Sequence, residues 1–435
     1  MESRPSKPSP SFVRAVLGVS ILWCCVSACR GCVRTEESPN VILIVVDALR
    51  ADHLTHAAYS RNTSPFLDRL AARGVVFETT ISQSSWTKTS LPSLLSSLYP
   101  EAHGVRRVED VLPDSVQLLP ELLKNQGYRT FGIHGNPWMD ERFGFNQGFD
   151  EFIFKHWYKD SLDARVLNKQ ALRWLDEGSN RPFFLFLHYM DVHSPWKPPE
   201  EFDVFGPEGV DQYDASILFV DSQIGALYED LNKRGLADNT WVVITADHGE
   251  EFLEHGNERW GHGVTLYQEV LRVPLIFHHP TEAASGKRVE QQVRLIDVAP
   301  TILDLLRIPI PDDMDGISLA HDVVEAAAVE RQDLMAFSQV GLNDAAPGKN
   351  LLAVTTPEHK YILDLVSGDE ELYDLKLDPG ETRNLSTSNQ AIARRFREEV
   401  LQSRRIQMAK RSTIVEGVEI DDELREQLRS LGYLK

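Results

Sequence analysis

Two kinds of hydrophobic spacing alternate along this chain. Residues 40–47 (NVILIVVD), 181–189 (RPFFLFLHY), 240–247 (TWVVITAD) and 273–278 (VPLIFH) are near-continuous apolar runs, the pattern of strands buried on both faces. Between them, apolar positions return with helical spacing over 64–73, 116–126, 164–177, 213–234 and 297–306. Strand and helix in alternation predict an α/β fold: a mixed, largely parallel sheet flanked by helices, with ligands at the carboxyl ends of the strands. Asp47 and Asp247 each close an apolar run and so stand at such ends.

Beyond about residue 320 the pattern changes. KYILDL (360–365) and ELYDLKLDPGETRNL (371–385) read as short strands joined by turns, and helices are expected near 388–403 and 421–431. This predicts a main domain over 40–320 and a small C-terminal α/β subdomain with a helical tail over 321–435.

The amino terminus reads as an export signal. Arg4, Lys7 and Arg14 precede a short apolar stretch from Ala15 to Val26, too short to span a bilayer comfortably. Val26-Ser27-Ala28-Cys29 resembles a bacterial lipobox, which makes residues 1–28 a lipoprotein signal peptide and Cys29 the acylated first residue of the mature chain. A plain signal peptide or an uncleaved anchor are the alternatives. Residues 29–39 then form a tether, and the expected location is the bacterial cell envelope, lipid-anchored, on the periplasmic or extracellular face. All four cysteines (Cys24, Cys25, Cys29 and Cys32) lie in this segment, so the folded body has neither a disulfide nor a catalytic thiol.

Composition narrows the partners. The 435 residues, 42% apolar and 25% charged, are ordinary for a globular protein, and a net charge of −20 argues against a nucleic-acid partner, which would call for a clustered basic face.

The chemistry sits where the patterns end. Asp47, Asp247 and His248 are oxygen and imidazole donors of the kind that hold a divalent cation. Thr87, in SWTKTSLPSLLSSLYPEAHG (85–104), stands at the mouth of a helix expected over 88–97, so a cation gathered beside it would activate the hydroxyl toward an anionic substrate. The plainer reading makes Thr87 an N-cap and the two aspartates turn residues; for Thr87 the two roles are compatible.

Six segments, in order, carry a resemblance: NVILIVVDALRADHL, SWTKTSLPSLLSSLYPEAHGV, HYMDVHSPWKPP, TADHGEEFLEHG, GHGVTLYQEVLRVPLI and ELYDLKLDPGETRNL. Together they resemble the signatures of the sulfatase family in the alkaline-phosphatase superfamily. The resemblance implies an alkaline-phosphatase-like fold and hydrolysis of sulfuric esters. It matches Asp47, Asp247 and His248 to metal ligands, Thr87 to the nucleophile position, and His193 and His262 to positions that contact the anionic group or protonate the leaving oxygen. Asn136, in HGNPW, is a further polar contact, and His103 a structural residue. Ser90 competes for the nucleophile position, but choosing it shortens the spacing to Tyr99-Pro100 by three residues.

Departures from the family pattern shape the expected chemistry. Thr87, Thr89 and Leu91 replace the Cys or Ser, Pro and Arg of a formylglycine site, so no formylglycine is expected; Ala48 replaces the second aspartate of the usual pair. One or two divalent ions are expected, from calcium, manganese, magnesium or zinc. The implied substrate is a sulfated or phosphorylated small molecule, glycan or envelope polymer. Phosphate or phosphonate ester hydrolysis, phosphoglycerol-type transfer, and a catalytically weak relative that binds an anionic polymer are the alternatives.

Overall fold

Each long apolar run of the sequence becomes a strand of one sheet. In chain order its strands are Asn40–Val46 (β1), Val75–Ile81 (β2), Arg129–His134 (β3), Glu151–Phe154 (β4), Phe183–Tyr189 (β5), Thr240–Thr245 (β6), Arg272–His278 (β7), Lys287–Val289 (β8) and Val293–Arg294 (β9). This computed structural model describes residues 38–435 apart from 156–162, 257–259, 328–333, 343–347, 412–414, 416 and 432–435. The signal-like segment, Cys29 and the tether as far as Glu37 therefore lie outside the described residues. No helix among the described residues is long and apolar enough to cross a membrane.

The sheet runs in the order β4-β3-β5-β1-β6-β7-β2-β8, with β9 also pairing with β2. Strand β1 lies between β5 and β6 and is parallel to both, whereas β7 is antiparallel to β6 and β2. Every residue of β1, β5 and β6 is buried, the condition under which a strand needs no polar alternation. Strands β2 and β3 fall outside the expected set because polar residues interrupt their apolar runs, VVFETTI and RTFGIH, and β4 because it is only four residues long.

Helices Pro65–Ala71, Leu119–Asn125, Ala164–Asp176, Gly209–Lys233 and Val298–Leu305 occupy the stretches that helical spacing marks out. The expected helix 88–97 is displaced by one residue. It runs Thr87–Ser96, Trp86 is its N-cap with no side-chain capping bond, and Thr87 opens the helix rather than capping it.

A second, antiparallel sheet follows, of Ala336–Gly341 (β10), Asn350–Thr355 (β11), His359–Asp364 (β12) and Glu370–Asp374 (β13). ELYDLKLDPGETRNL thus supplies one strand. Beyond it, Asp374 accepts from the backbone of Lys376 and Leu377, and Asp378 from Thr382 and Arg383, which folds the remainder into turns. Helix Gln390–Lys410, longer than the sequence pattern suggested, buries Ala393, Phe396 and Val400 on this sheet, and helix Asp422–Ser430 follows.

Candidate active site

Strand register builds the site. Val45 of β1 pairs with Thr245 of β6 on one side and with His188 of β5 on the other. Two residues beyond that row the chain reaches Asp47 and Asp247, so parallel pairing sets the two carboxylates side by side at the carboxyl edge of the sheet. Asp47 is held there by its backbone N–H, which donates to Tyr189 O at 2.9 Å. The chain then turns sharply at Ala48, whose φ of 60° lies in the left-handed region; its carbonyl accepts from the Tyr213 hydroxyl at 2.8 Å.

Asp47, Thr87, Asp247 and His248 are all fully buried. Donor atoms of Asp47, Asp247 and His248 lie within 4.8 Å of one another. Asp247 Oδ1 accepts from the backbone of Ala48 and His248, whereas Asp47 Oδ1 and Asp247 Oδ2 have no hydrogen-bond partner among the described residues. His248 Nδ1 is 2.9 Å from Gly249 O, a group that only accepts, so Nδ1 carries the proton and Nε2 presents its lone pair. That Nε2 lies 3.6 Å from Asp47 Oδ1, 3.4 Å from Asp247 Oδ2 and 3.1 Å from Thr87 Oγ1. Two buried carboxylates with orphaned oxygens beside an imidazole lone pair form a donor set that fits a divalent cation.

The electrostatics agree with that fit. Burial, followed by the neighbouring Asp247 charge, pushes Asp47 up to about 7. Burial opposes ionisation of Asp247 too, but His248 and His188 hold it below the usual carboxylate range. A cation between them would relieve the repulsion that keeps Asp47 high.

Asn136, just past β3, reaches into the same space. Its Nδ2 donates to Asp47 Oδ2 at 2.8 Å and lies 3.4 Å from Thr87 Oγ1, while Trp138 N donates to its Oδ1 and fixes the amide's orientation. Ser90 is not brought onto the donors: its hydroxyl donates to Asp247 O at 2.7 Å, as does that of Ser82 at 2.6 Å, so both steady the backbone of Asp247. His103 is structural, bonded to Ser93 Oγ and Val105 N.

His193 and His262 adjoin the cluster through His248. Their rings lie 4.9 Å apart, and His262 is 4.3 Å from the ring of His248. Burial lowers both to about 4, so both are neutral at pH 7. Glu250 Oε1 lies 3.1 Å from His262 Nδ1, and burial pushes this carboxyl up to about 7.

Two residues here were missed in the sequence. Glu250 stands in an acid-rich run, GEEFLEHG, that reads as solvated, yet it is fully buried behind His262, while Asp52 and Glu254 pair with Arg50. His188 is also fully buried and points Nε2 at both Asp47 and Asp247, at 3.7 and 3.8 Å. Its only signal was a histidine inside an otherwise apolar strand, RPFFLFLHY.

Comparison with known proteins agrees with this architecture. The sulfatase family model matches residues 39–308, and a model described as N-sulphoglucosamine sulphohydrolase, C-terminal, matches residues 256–406. The chain belongs to the sulfatase family. The expectation of an ester hydrolase stands with this membership. Among similar proteins is a sulfatase of Formosa agariphila, 25% identical, with 85% of this chain and 87% of the relative aligned. Two solved structures share the fold. One, in complex with its substrate D-glucosamine-2-N,6-O-disulfate, has a TM-score of 0.72 at 20% identity and covers 86% of this chain and 98% of its own. The other, a phosphonate monoester hydrolase of Agrobacterium radiobacter, also has a TM-score of 0.72 at 20% identity, over 88% and 98% of the two chains.

Proposed function

We propose that this sulfatase-family chain hydrolyses sulfuric esters on a glycan, with Thr87 as nucleophile beside a divalent cation held by Asp47, Asp247 and His248. The observation that carries the reading is the Thr87 hydroxyl, buried at the head of its helix and 3.1 Å from His248 Nε2, beside Asp47 Oδ1 and Asp247 Oδ2, which no donor among the described residues satisfies. When bound, the cation supplies positive charge that favours the ionised hydroxyl and neutralises the anionic ester.

Asn136 holds the Thr87 oxygen in place. That oxygen attacks sulfur, a Thr87 O–S bond forms, and the bond to the departing sugar oxygen breaks in line. His193 and His262 are placed to contact the anionic oxygens and protonate the leaving oxygen. With Glu250 pushed up to about 7, its proton can pass to His262 Nδ1 as Nε2 of the neutral ring gives its own to the leaving oxygen. Water then attacks sulfur and returns the Thr87 hydroxyl. Support for a sulfated sugar comes from the disulfated glucosamine bound by the similar structure above.

A second reading, phosphate or phosphonate ester cleavage or phosphoglycerol-type transfer, is favoured by two observations: threonine cannot become formylglycine, and a phosphonate monoester hydrolase shares the fold. A side-by-side assay of aryl and glycan sulfates, phosphate mono- and diesters and phosphonates, each with a metal series, separates the two. Sulfate turnover in the leading place supports the first reading; turnover of phosphorus esters alone replaces it. Turnover of none with metal bound would favour an anion-binding relative.

We also infer export and acylation at Cys29, from the lipobox-like sequence before it. Mass spectrometry of the mature amino terminus checks this; an unmodified terminus elsewhere overturns it.

A further inference from the structure

We propose that His188 is a further ligand of the cation, so that the ion sits among two carboxylates and two imidazoles. This rests on the reading that Asp47, Asp247 and His248 hold a cation, and goes beyond it in the residue and the kind of ion assigned.

His188 is fully buried on β5, and neither of its ring nitrogens has a hydrogen-bond partner among the described residues. Leaving such a group unsatisfied costs about 1–3 kcal/mol, so a sheet that keeps it calls for an explanation. Its Nε2 lies 3.7 Å from Asp47 Oδ2 and 3.8 Å from Asp247 Oδ2. Those separations are too long for hydrogen bonds, and they are nearly equal. A donor seeking one carboxylate would approach one oxygen; a nitrogen set evenly against two is placed as donors around a shared ion are.

His248 mirrors the arrangement, with Nε2 at 3.6 Å from Asp47 Oδ1 and 3.4 Å from Asp247 Oδ2. Asp247 Oδ2 thus faces both imidazoles, and Asp47 turns one oxygen toward each. With bonds of about 2.0–2.2 Å from a transition ion to nitrogen and oxygen, neighbouring donors stand roughly 3.0–3.5 Å apart, so closing on an ion needs shifts of a few tenths of an ångström.

The donor set also chooses the ion. Two imidazoles with two carboxylates suit zinc, manganese, iron or cobalt, whereas calcium takes six to eight oxygens. Ala48, next to Asp47, brings no donor side chain.

The test is X-ray absorption of the zinc- and manganese-loaded protein, in which imidazole scattering counts the coordinated histidines, together with chelator-competition titrations for zinc, manganese and calcium. The proposal expects two imidazoles in the wild type and one in His188→Asn. It expects zinc affinity to fall about ten- to a hundredfold in the variant, and the wild type to bind zinc and manganese more tightly than calcium. A count of one imidazole in loaded wild type overturns the His188 assignment and leaves the proposed function standing. So does unchanged zinc affinity in folded His188→Asn. Failure of the wild type to bind any of these ions overturns both. If His188→Asn does not fold, the wild-type count decides alone.

Discussion

Thr87 and Ser90 lie one helical turn apart, yet their hydroxyls meet different groups: Thr87 the imidazole of His248, Ser90 the backbone carbonyl of Asp247. Thr87→Ala is therefore expected to lower turnover at least about a thousandfold with the cation still bound. Thr87→Ser should keep measurable activity, and Ser90→Ala should cost far less. Peptide mapping after trapping with a slow substrate checks the assignment, and an adduct on Ser90 would reverse it. Gly249 gives a second expectation. A Cβ there would meet Glu269 O at 2.0 Å, and Gly249 O holds His248 Nδ1. Gly249→Ala should thus cost about 1–3 kcal/mol of stability in urea unfolding and weaken cation binding, because the backbone must shift with the imidazole attached to it. Asp47 and Asp247 stand out in the chain because each closes an apolar run, and Thr87 because it opens a helical pattern at a set spacing from Tyr99-Pro100. Glu250 and His188 do not: a carboxylate in a run of acids reads as solvated, and a histidine inside a strand reads as packing, until register shows what each faces.

The helix that carries Thr87 also carries Lys88, fully buried with its amine 3.1 Å from the centre of the Phe143 ring and 5.1 Å from that of Trp138. Nothing in the apolar part of that helix announced a buried lysine, and its Nζ has no hydrogen-bond partner among the described residues. Burial holds this amine well below its usual range, against the pull of Asp110 and Glu109. The unfolded chain therefore binds a proton that the folded protein gives up, so stability should rise with pH up to the unfolded value of about 10.4. Lys88→Met keeps the volume and removes the titration. It should raise the stability at pH 7 and flatten the rise that leads up to the unfolded value, as read by urea unfolding at several pH values; an unchanged slope would show that the amine is not the source. At this scale the strands β1, β5, β6 and β7 were legible because burial on both faces leaves a continuous apolar run. Strand β3 was not, since Arg129, Thr130, Gly132 and His134 interrupt its run, and the pairing with β5 and β4 that makes it a strand is non-local.

Across the whole molecule, the second sheet reaches the segment that links His262 to β7. Lys360 of β12 donates to Leu266 O at 2.8 Å and lies 3.1 Å from Glu381 Oε1, and Glu381 Oε2 accepts from Gln268 N at 2.6 Å. Both side chains of this pair are fully buried. The sequence showed a C-terminal unit of strands and a helix but gave no hint that a buried lysine and glutamate join bonds such as Tyr267 to Glu371 and Ser338 to Ser82 O in fastening it to the catalytic side, because neither belongs to a pattern. A buried pair of this kind stabilises little over an apolar substitute, yet breaking it leaves one charge uncompensated. Burial pushes Lys360 down and Glu381 up, so each depends on the other to remain charged. Lys360→Met alone and Glu381→Gln alone are each expected to cost about 3–5 kcal/mol. The double variant Lys360→Met/Glu381→Gln should recover part of that loss, since the Glu381 charge goes with that of Lys360 and Glu269 keeps its pairing with His255. Urea unfolding of the four proteins gives the coupling directly: a double variant as unstable as the sum of the singles would mean that the two side chains act independently. Because the pair grips Leu266 and Gln268, the single variants should also lower turnover by loosening the segment that follows His262, and the double variant should recover less activity than stability, having lost the hold of Lys360 on Leu266 O.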